Sequence, residues 1–362
     1  MKNKLNKNFF LYFSYILFIL SLFVSDIPLF ESISIYFKFV ILLLNGIYLI
    51  FCFKKEKVIK TPILYTILCL LIFIFSRDFY WLIVITYMMI IQYFEYDDKK
   101  IFKFSFITLL LLTSLTVLLS FFGVLTDYIN IRDNNIVRHS YGFYHSNVLP
   151  IAYFYLVCYL LIYLKLSNKK INVAFIPILL VIAYILFIYC NSRNSFIFTL
   201  LIIILFIFSY KFNQNEKQPK IILFIAKNII LICFILTIVT TILYNGTGLL
   251  EKINELYTNR LFLQNIAFMN DGLNIINIKV SENVVLDNGY AYLIFRYGLI
   301  SIMLYCIINK RIIDNFKNDS FLLIVFVIIC LFNFIDNDLL SYGFLPFMLL
   351  SLNQGKNYIK KL

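Results

Sequence analysis

The residues best suited to chemistry lie in one short polar stretch between two long apolar runs. Residues 138–147 contain both histidines of the chain, His139 and His145, together with Arg138 and Asn147. Histidine exchanges a proton near neutral pH, and a guanidinium binds a phosphate or carboxylate through two parallel hydrogen bonds. The stretch therefore predicts a site that combines proton transfer with recognition of an anion.

The rest of the chain is far too apolar for a water-soluble fold. Hydrophobic residues make up 62% of the 362 residues, aromatic residues 19%, and charged residues only 14%. A soluble domain contains roughly 45–50% apolar residues. Lipid is therefore the expected solvent for most of the protein. We expect an all-α integral membrane protein that forms one polytopic domain over residues 1–362.

Twelve stretches are apolar over roughly the 20 residues that a membrane-spanning helix needs. They cover residues 9–25, 33–53, 61–76, 79–94, 101–123, 148–166, 173–190, 195–210, 221–244, 288–309, 319–335 and 339–352. The first follows basic residues but lacks a cleavage signal, so we expect it to remain as an anchor. Two connections are long, residues 123–147 and residues 245–287, and both are expected on the outer face.

The distribution of basic residues predicts the orientation. Most of the 32 lysines and arginines lie in alternate loops, a set that includes both ends of the chain. The positive-inside rule places these loops and both termini in the cytoplasm. An even number of spans agrees with that placement. The net charge of +13 is thus assigned to membrane anchoring and not to nucleic-acid binding.

Arginines are distributed differently from lysines. Apart from Arg311, they lie on the expected outer side or in the outer half of a span: Arg77, Arg132, Arg138, Arg193, Arg260 and Arg296. Lysine alone would satisfy the orientation rule, so this bias favours an outer face that binds anions. The alternative is that these arginines pair with outer acids such as Asp78 and Asp133.

Two of these arginines have distinctive positions. Arg193 follows Asn191 in a tight outer turn and begins the eighth span, where free N–H groups and the helix dipole favour an anion. The alternative for Arg193 is contact with lipid headgroups. Arg296 lies ~12 Å into the tenth span at 1.5 Å per residue, which is typical of a functional residue that faces the bundle interior. A structural pair with Asp287 or Asp336 is the alternative.

The second long loop is expected to contain an amphipathic helix. Apolar residues recur at helical spacing from Leu249 to Phe262, and Glu251, Glu255 and Arg260 lie on the opposite face. Such a helix would lie on the membrane surface or cap the bundle, either as a stabilising element or as a lid.

Motifs of nucleotide-dependent or metal-dependent chemistry are missing from the sequence. There is no Walker loop, no G-x-G-x-x-G and no His/Cys metal spacing, and the seven cysteines form no C-x-x-C pair. We therefore expect no cofactor, no metal and no disulfides, and energy that comes with a lipid-delivered substrate or from a gradient. Scarce glycine and proline within the spans argue against a transporter, whose helices are usually interrupted.

The order of these features resembles that of the bacterial O-antigen and capsular polysaccharide polymerases, which are related to the O-antigen ligases. Short motifs carry the resemblance: R-x-x-x-G-F-x-H-x-N from Arg138 to Asn147, Ser192-Arg193 in an outer turn, Asn259-Arg260-Leu261 in the large outer loop, and D-N-x-Y from Asp287 to Tyr290 before a span with Gly298. The resemblance covers roughly residue 100 to the C-terminus. The chain departs from the family where Ser146 replaces a frequent proline and Asn259 replaces a common glycine.

This resemblance implies a membrane glycosyltransferase in the bacterial cytoplasmic membrane. Its substrates would be oligosaccharide repeat units linked to undecaprenyl diphosphate, joined on the outer face with the lipid diphosphate as the leaving group. A flippase and a chain-length regulator would be its protein partners. The alternatives are an O-antigen ligase-type transfer to another acceptor, and a polysaccharide flippase or other transporter.

Residue roles follow from the same resemblance. His145 would be the general base, with Asp287 as the second candidate. Arg193 and Arg260 would neutralise the diphosphate, with Arg138 as the third candidate. The remaining expected substrate contacts are Arg296 and four side chains able to hydrogen-bond sugar hydroxyls: Asn147, Asn191, Asn288 and Tyr290.

Overall fold

A computed structural model of the protein describes residues 2–53, 63–91, 97–132, 135–167, 175–209, 220–277 and 284–352. Within these ranges the protein is almost entirely α-helical, as expected for a helical membrane protein, and its one sheet has two strands. Many lysines of the expected inner loops lie outside the described residues, as do Asp133 and Lys279. The cysteines whose side chains are described are all free.

The elements follow one another along the chain as helices interrupted by a single hairpin. They are α1 (Lys2–Val24), a 3-10 turn (Pro28–Phe30), α2 (Glu31–Phe53), α3 (Ile63–Ser76), α4 (Phe79–Ile91), α5 (Asp98–Phe121), β1 (Ile129–Arg132), β2 (Ile136–His139), α6 (Val148–Leu166), α7 (Phe175–Cys190), α8 (Arg193–Ser209), α9 (Lys220–Leu243), α10 (Gly248–Leu256), α11 (Arg260–Asp271), α12 (Gly289–Tyr297), α13 (Ile300–Phe316), α14 (Ser320–Ile335) and α15 (Leu345–Leu352).

Four of the described helical segments are long and apolar enough to cross a membrane, judged by length and composition: Pro28–Ile50, Asp98–Phe121, Val148–Leu166 and Lys220–Leu243. Shorter apolar helices occupy Phe9–Val24, Leu64–Ser76, Phe79–Ile91, Phe175–Cys190, Arg193–Phe208 and Ser320–Ile335. Every one of the twelve predicted stretches contains a helix, although the last is helical only from Leu345. The number of crossings and their orientation stay predictions.

The chain forms two compact units, and the first comprises Met1–Lys55, Tyr93–Glu216 and Ser341–Pro346. In this unit α1 packs against α2 and α5, α5 packs against α6, and α6, α7 and α8 pack together. The hydroxyl of Tyr159, buried on α6, donates to the carbonyl oxygens of Tyr342 at 2.8 Å and Gly343 at 2.7 Å. These bonds attach a late segment of the chain to α6.

The long connection between α5 and α6 contains a β-hairpin, which the all-α prediction missed. Strands β1 and β2 pair antiparallel, with Ile129 opposite His139 and Arg132 opposite Ile136. Isoleucine in both strands and valine in β2 favour extended backbone, and Asn135, directly before the return strand, has a positive φ of 57°. Because β2 packs against α7, the hairpin holds residues 138–139 beside the end of that helix.

The second unit comprises Glu56–Gln92, Lys217–Leu340 and Phe347–Leu362. Helix α9 is central to it and packs against α11, α12, α13 and α14, while α3 packs against α4 and α13. The predicted single amphipathic helix in the second long loop is two helices, α10 and α11, because Thr258 and Asn259 between them have positive φ values of 55° and 63°. Arg260, predicted on the polar face, is instead buried at 8% exposure, whereas Leu256 is 85% exposed.

The tenth predicted span, residues 288–309, is likewise two helices. Gly298 separates α12 from α13 with φ +88°, a conformation that L side chains rarely adopt. A Cβ built on Gly298 would lie 2.5 Å from the carbonyl oxygen of Ile275. The same carbonyl accepts the backbone N–H of Ile300 at 3.0 Å. The loop after α11 thus closes against the interruption, and only glycine fits there.

Replacement of Gly298 by alanine should therefore destabilise the protein. The backbone of Gly298, with φ 88° and ψ −179°, lies in a region that is essentially restricted to glycine and costs other residues on the order of 1–3 kcal/mol, and the overlap with Ile275 adds to that cost. We expect a lower thermal unfolding midpoint for the detergent-solubilised variant. The matched control is Gly46→Ala on α2, where a Cβ meets nothing within 4 Å and alanine favours the helix. Equal midpoints for Gly298→Ala and the unmodified protein would contradict the prediction.

Candidate functional site

Arg138 is buried in the first unit and connects three of its segments. Its Nε donates to the carbonyl oxygen of Cys190 at the end of α7, at 2.8 Å, and its Nη2 donates to Oδ1 of Asn147 before α6. Only 4% of Arg138 is exposed. The predicted substrate contacts Arg138 and Asn147 are thus brought together, but they bind each other. Their geometry gives them a positioning function, and direct binding of an anion and a sugar by these two side chains stays a prediction.

The Gly-Phe pair of the same motif also has a structural explanation. Gly142 has φ +90°, and a Cβ on it would lie 3.1 Å from Cδ1 of Leu125. Phe143 is fully buried, and its ring packs edge-on against that of Phe23 with the centroids 5.5 Å apart. Glycine permits the turn after β2, and phenylalanine anchors that turn to α1.

His145 does not have the arrangement expected of a general base. Its Nδ1 accepts the backbone N–H of Asn147 at 3.1 Å. A neutral imidazole that accepts at Nδ1 carries its proton on Nε2, and we assign that tautomer from this hydrogen bond. Nε2 is then a donor, so the neutral ring has no free lone pair with which to remove a proton from a substrate.

The other histidine has the complementary arrangement. His139 Nδ1 lies 2.6 Å from Oδ2 of Asp127. Oδ1 of Asp127 accepts the backbone N–H groups of Ser140 and Tyr141, each at 2.8 Å. Partial burial raises the pKa of Asp127, but the hydrogen bonds from His139 and the two N–H groups outweigh it and lower that pKa. An ionised Asp127 accepts the Nδ1 proton, which leaves the lone pair of His139 on Nε2.

Aromatic rings flank His139. The ring centroid of Tyr141 is 5.7 Å away and that of Tyr189, in the last turn of α7, is 6.4 Å away. Burial raises the pKa of Tyr141 to about 12, so its phenol stays protonated at neutral pH. The side chain of His139 is 32% exposed. The imidazole is therefore accessible from outside the protein, and its contact with Asp127 fixes its orientation.

Arg193 begins α8 directly after the turn that Arg138 holds. Its side chain is exposed, and within the described ranges no carboxylate forms an ion pair with it. Asn191 in the same turn has φ +50°, and its Oδ1 is buried without a hydrogen-bond partner among the described residues. Of the predicted anion-binding arginines, Arg193 thus has the geometry that suits the assignment.

Arg260, in the second unit, is compensated by acids of the same unit. Its Nε lies 3.1 Å from Oδ2 of Asp287, without hydrogen-bond alignment, and its Nη2 lies 3.4 Å from Oδ1 of Asp336. Its Nη1 donates to the carbonyl oxygen of Ile335. Two carboxylates more than balance one guanidinium. In this arrangement Arg260 and Asp287 bind each other, and a diphosphate bound by Arg260 or a base function of Asp287 stays a prediction.

Asn288 and Tyr290 are also used inside the second unit. Oδ1 of Asn288 accepts the backbone N–H groups of Tyr290 at 2.8 Å and Ala291 at 3.1 Å, which caps α12. The hydroxyl of Tyr290 donates to the carbonyl oxygen of Cys330 at 3.0 Å. Both side chains are buried, and sugar binding by them stays a prediction.

Arg296 pairs with Asp78, one of the two outer acids considered as partners for these arginines. Nη2 of Arg296 lies 3.9 Å from Oδ2 of Asp78, and Nη1 donates to the hydroxyl of Tyr292. The guanidinium carbon lies 5.2 Å from the ring centroid of Tyr292, a cation–π contact. The side chain is 39% exposed and lines a small surface recess together with Asp271 and Phe295. Arg296 keeps its status as a candidate substrate contact.

The described geometry gathers the candidate residues into separate clusters within the units. In the first unit the hairpin, the turn after α7 and the start of α6 bring Arg138, His139 and Asn147 close to the turn of Asn191 and Arg193. The sequence analysis named His139 without giving it a function, and it did not single out Asp127. The available signal was an aspartate in the same long loop, which a hairpin at Ile129 would bring to His139. Comparison of the chain with protein-family models, curated proteins and solved structures found no match.

The stability of the protein should depend on the protonation of Asp336. Burial raises the pKa of Asp336 from 3.8 to about 6, against the opposing effect of Arg260. The folded state therefore holds this proton more tightly than the unfolded state. The resulting stabilisation is present below about pH 4 and is lost as the pH rises through about 6. Asp336→Asn should remove this dependence. The thermal midpoint of the variant, measured relative to that of the unmodified protein, should therefore rise between pH 4 and pH 7. A difference between the two midpoints that stays constant with pH, or that falls as the pH rises, would contradict the prediction.

Replacement of Arg260 should reveal a structural function. Arg260→Ala leaves Asp287 and Asp336 without their cation, and loss of one partner of a buried pair costs about 3–5 kcal/mol. We expect a clear fall in thermal midpoint, partly restored in the double variant Arg260→Ala/Asp336→Asn. The control is Lys252→Ala, which removes an exposed cation from α10. An unchanged midpoint for Arg260→Ala would instead favour a guanidinium that is available to bind a substrate.

Proposed function

We propose that the protein is a membrane glycosyltransferase that joins lipid-diphosphate-linked oligosaccharide repeat units into a polysaccharide. The observation that carries the proposal is the exposed guanidinium of Arg193, held beside a loop that also presents a carboxylate-bound histidine. An anion-binding group and a proton acceptor within one unit suit a transfer with a charged leaving group. The ordered motifs shared with the O-antigen and capsule polymerases support the same class.

The proposal includes the topology predicted from the basic residues. Twelve crossings with both termini in the cytoplasm put the hairpin and the turn before α8 on the outer face of the bacterial cytoplasmic membrane. A glycan on undecaprenyl diphosphate would reach that face by way of a flippase, and a chain-length regulator would act on the product. Both substrates would then remain in the lipid, where the apolar scaffold holds the protein.

The reaction requires that negative charge be stabilised as the diphosphate leaves. When the anomeric C–O bond breaks, its electron pair goes to the terminal phosphate oxygen of the lipid. The planar guanidinium of Arg193 binds two such oxygens at once, and the N-terminus of α8 adds favourable N–H groups. Arg138 acts indirectly, because its bond to the carbonyl of Cys190 fixes the turn from which Arg193 extends.

One observation favours a transporter as the second candidate. The interruption between α12 and α13 at Gly298 is the kind of helix break that lines substrate sites in many transporters. The loop carbonyl of Ile275 occupies the space next to this glycine, however, so the break is packed and does not present open backbone to a substrate.

Arg193→Ala should abolish long chains and leave single repeat units. Loss of a group that stabilises developing negative charge lowers kcat on the order of 10²–10³-fold. Arg193→Lys should retain part of the activity, since lysine keeps the charge but not the bidentate geometry. Polymer length is measured in vesicles that contain the purified protein and lipid-linked repeat units, with Lys252→Ala as the control for loss of an exposed outer cation.

Three outcomes would count against the proposal. Unchanged chain lengths in Arg193→Ala would show that polymer formation does not require Arg193, the residue on which the proposal depends. Transfer of a glycan to a different acceptor, with no polymer, would identify a ligase. Movement of the lipid-linked sugar across the vesicle membrane without bond formation would identify a transporter.

A further inference from the structure

The pair of Asp127 and His139 is built for orientation more than for stability. One oxygen of Asp127 accepts two backbone N–H groups and the other contacts His139 Nδ1 at 2.6 Å. The pair is partly exposed, and exposed ion pairs contribute little to stability. The arrangement nevertheless fixes the ring plane of the histidine and its tautomer. Such a carboxylate–imidazole pair is the usual means of preparing a histidine to accept a proton.

The groups that face His139 leave its other nitrogen suited to a neutral, hydroxyl-bearing ligand. Tyr141 in the following turn and Tyr189 on α7 flank the ring with their own rings. Asp127 is the charged group bound to it. Arg138 precedes it on β2, where successive side chains point to opposite faces, and is buried on the side of Cys190. Phenol rings beside an imidazole match the apolar faces and the hydroxyls of a sugar.

We propose that His139, oriented by Asp127, is the general base of the glycosyl transfer, in place of His145. This inference rests on the proposed function and assigns the acceptor side of its site. The acceptor is a sugar hydroxyl of a lipid-linked repeat unit, bound between His139 and the two tyrosines.

The proton and electron transfers in this step balance without a further reactant. The acceptor oxygen forms a bond to the anomeric carbon of the donor glycan while its proton passes to Nε2 of His139. The anomeric C–O bond to the diphosphate breaks, and its electron pair leaves with the lipid diphosphate beside Arg193. Asp127 stabilises the imidazolium that forms. Release of that proton to water restores the base.

The fold keeps the base and the anion-binding group in one assembly. Arg138 and His139 are neighbours on β2, and Arg138 bonds the carbonyl oxygen three residues before Arg193. Movement of the hairpin relative to α7 would break that bond. The same guanidinium therefore positions the proton acceptor on one side and the turn of Arg193 on the other.

The test compares His139→Gln, Asp127→Asn and His145→Gln in vesicles with lipid-linked repeat units, each at several pH values. We expect His139→Gln to lower kcat about 10²–10⁴-fold, the range for general base catalysis, with little change in KM for the acceptor. Asp127→Asn should lower kcat and change the pH–rate profile, because the imidazolium that forms during the transfer then lacks its carboxylate partner. His139→Ala should regain activity when imidazole is added. His145→Gln should lose far less activity than His139→Gln.

The control for removal of a carboxylate is Glu255→Gln, an exposed position on α10, and the elution profile of each detergent-solubilised variant checks that it is folded. Loss of activity in His145→Gln with a normal rate in His139→Gln would overturn the proposal. So would an inactive His139→Ala that imidazole does not restore, together with an unshifted profile for Asp127→Asn. If the unmodified protein forms no polymer, the proposed function itself fails, which is a different result from loss in the variants alone.

Discussion

A guanidinium that is buried loses its hydrogen bonds to water and needs hydrogen-bond or charge partners inside the protein. This constraint determines contacts in both units. A buried polar or charged group without a partner costs several kcal/mol. Arg138 is compensated by neutral oxygens of Cys190 and Asn147, whereas Arg260 is compensated by two carboxylates. The partners of Arg138 named here are neutral, whereas those of Arg260 carry negative charge. The two arginines look alike in the sequence but differ in what they offer to an anion.

The helical framework could be predicted because apolar runs of sufficient length have one main solution in lipid, where backbone groups must bond within the same segment. Two features escaped that reasoning. Strands of four residues, as in the β1–β2 hairpin, are too short to show a reliable period of two. The interruption at Gly298 depends on the loop carbonyl of Ile275, a contact between segments far apart in the sequence. Local sequence patterns therefore locate the helices, but they do not show where tertiary packing interrupts a helix.

The sequence predicted which segment forms a polar site, but it did not predict the contacts of the residues in that segment. Residues 138–147 do form an ordered polar turn, yet the motif pointed to His145, whose Nδ1 is taken by the N–H of Asn147. The histidine with an ionised partner is His139, and its partner lies twelve residues earlier in the chain. Residue type specifies what a side chain is able to do. Its partners decide what it does, and those partners are set by the folded chain.

The attachment of Ser341–Pro346 to α6 has a consequence for biosynthesis. Tyr159 obtains its acceptors from the carbonyls of Tyr342 and Gly343, which the ribosome adds roughly 180 residues after the tyrosine itself. Until then the phenol must rely on lipid headgroups, water or a chaperone for its hydrogen bond. Assembly of the first unit is thus started early in translation but completed only after Ser341–Pro346 has been synthesised, so quality control of its assembly acts after that segment is present.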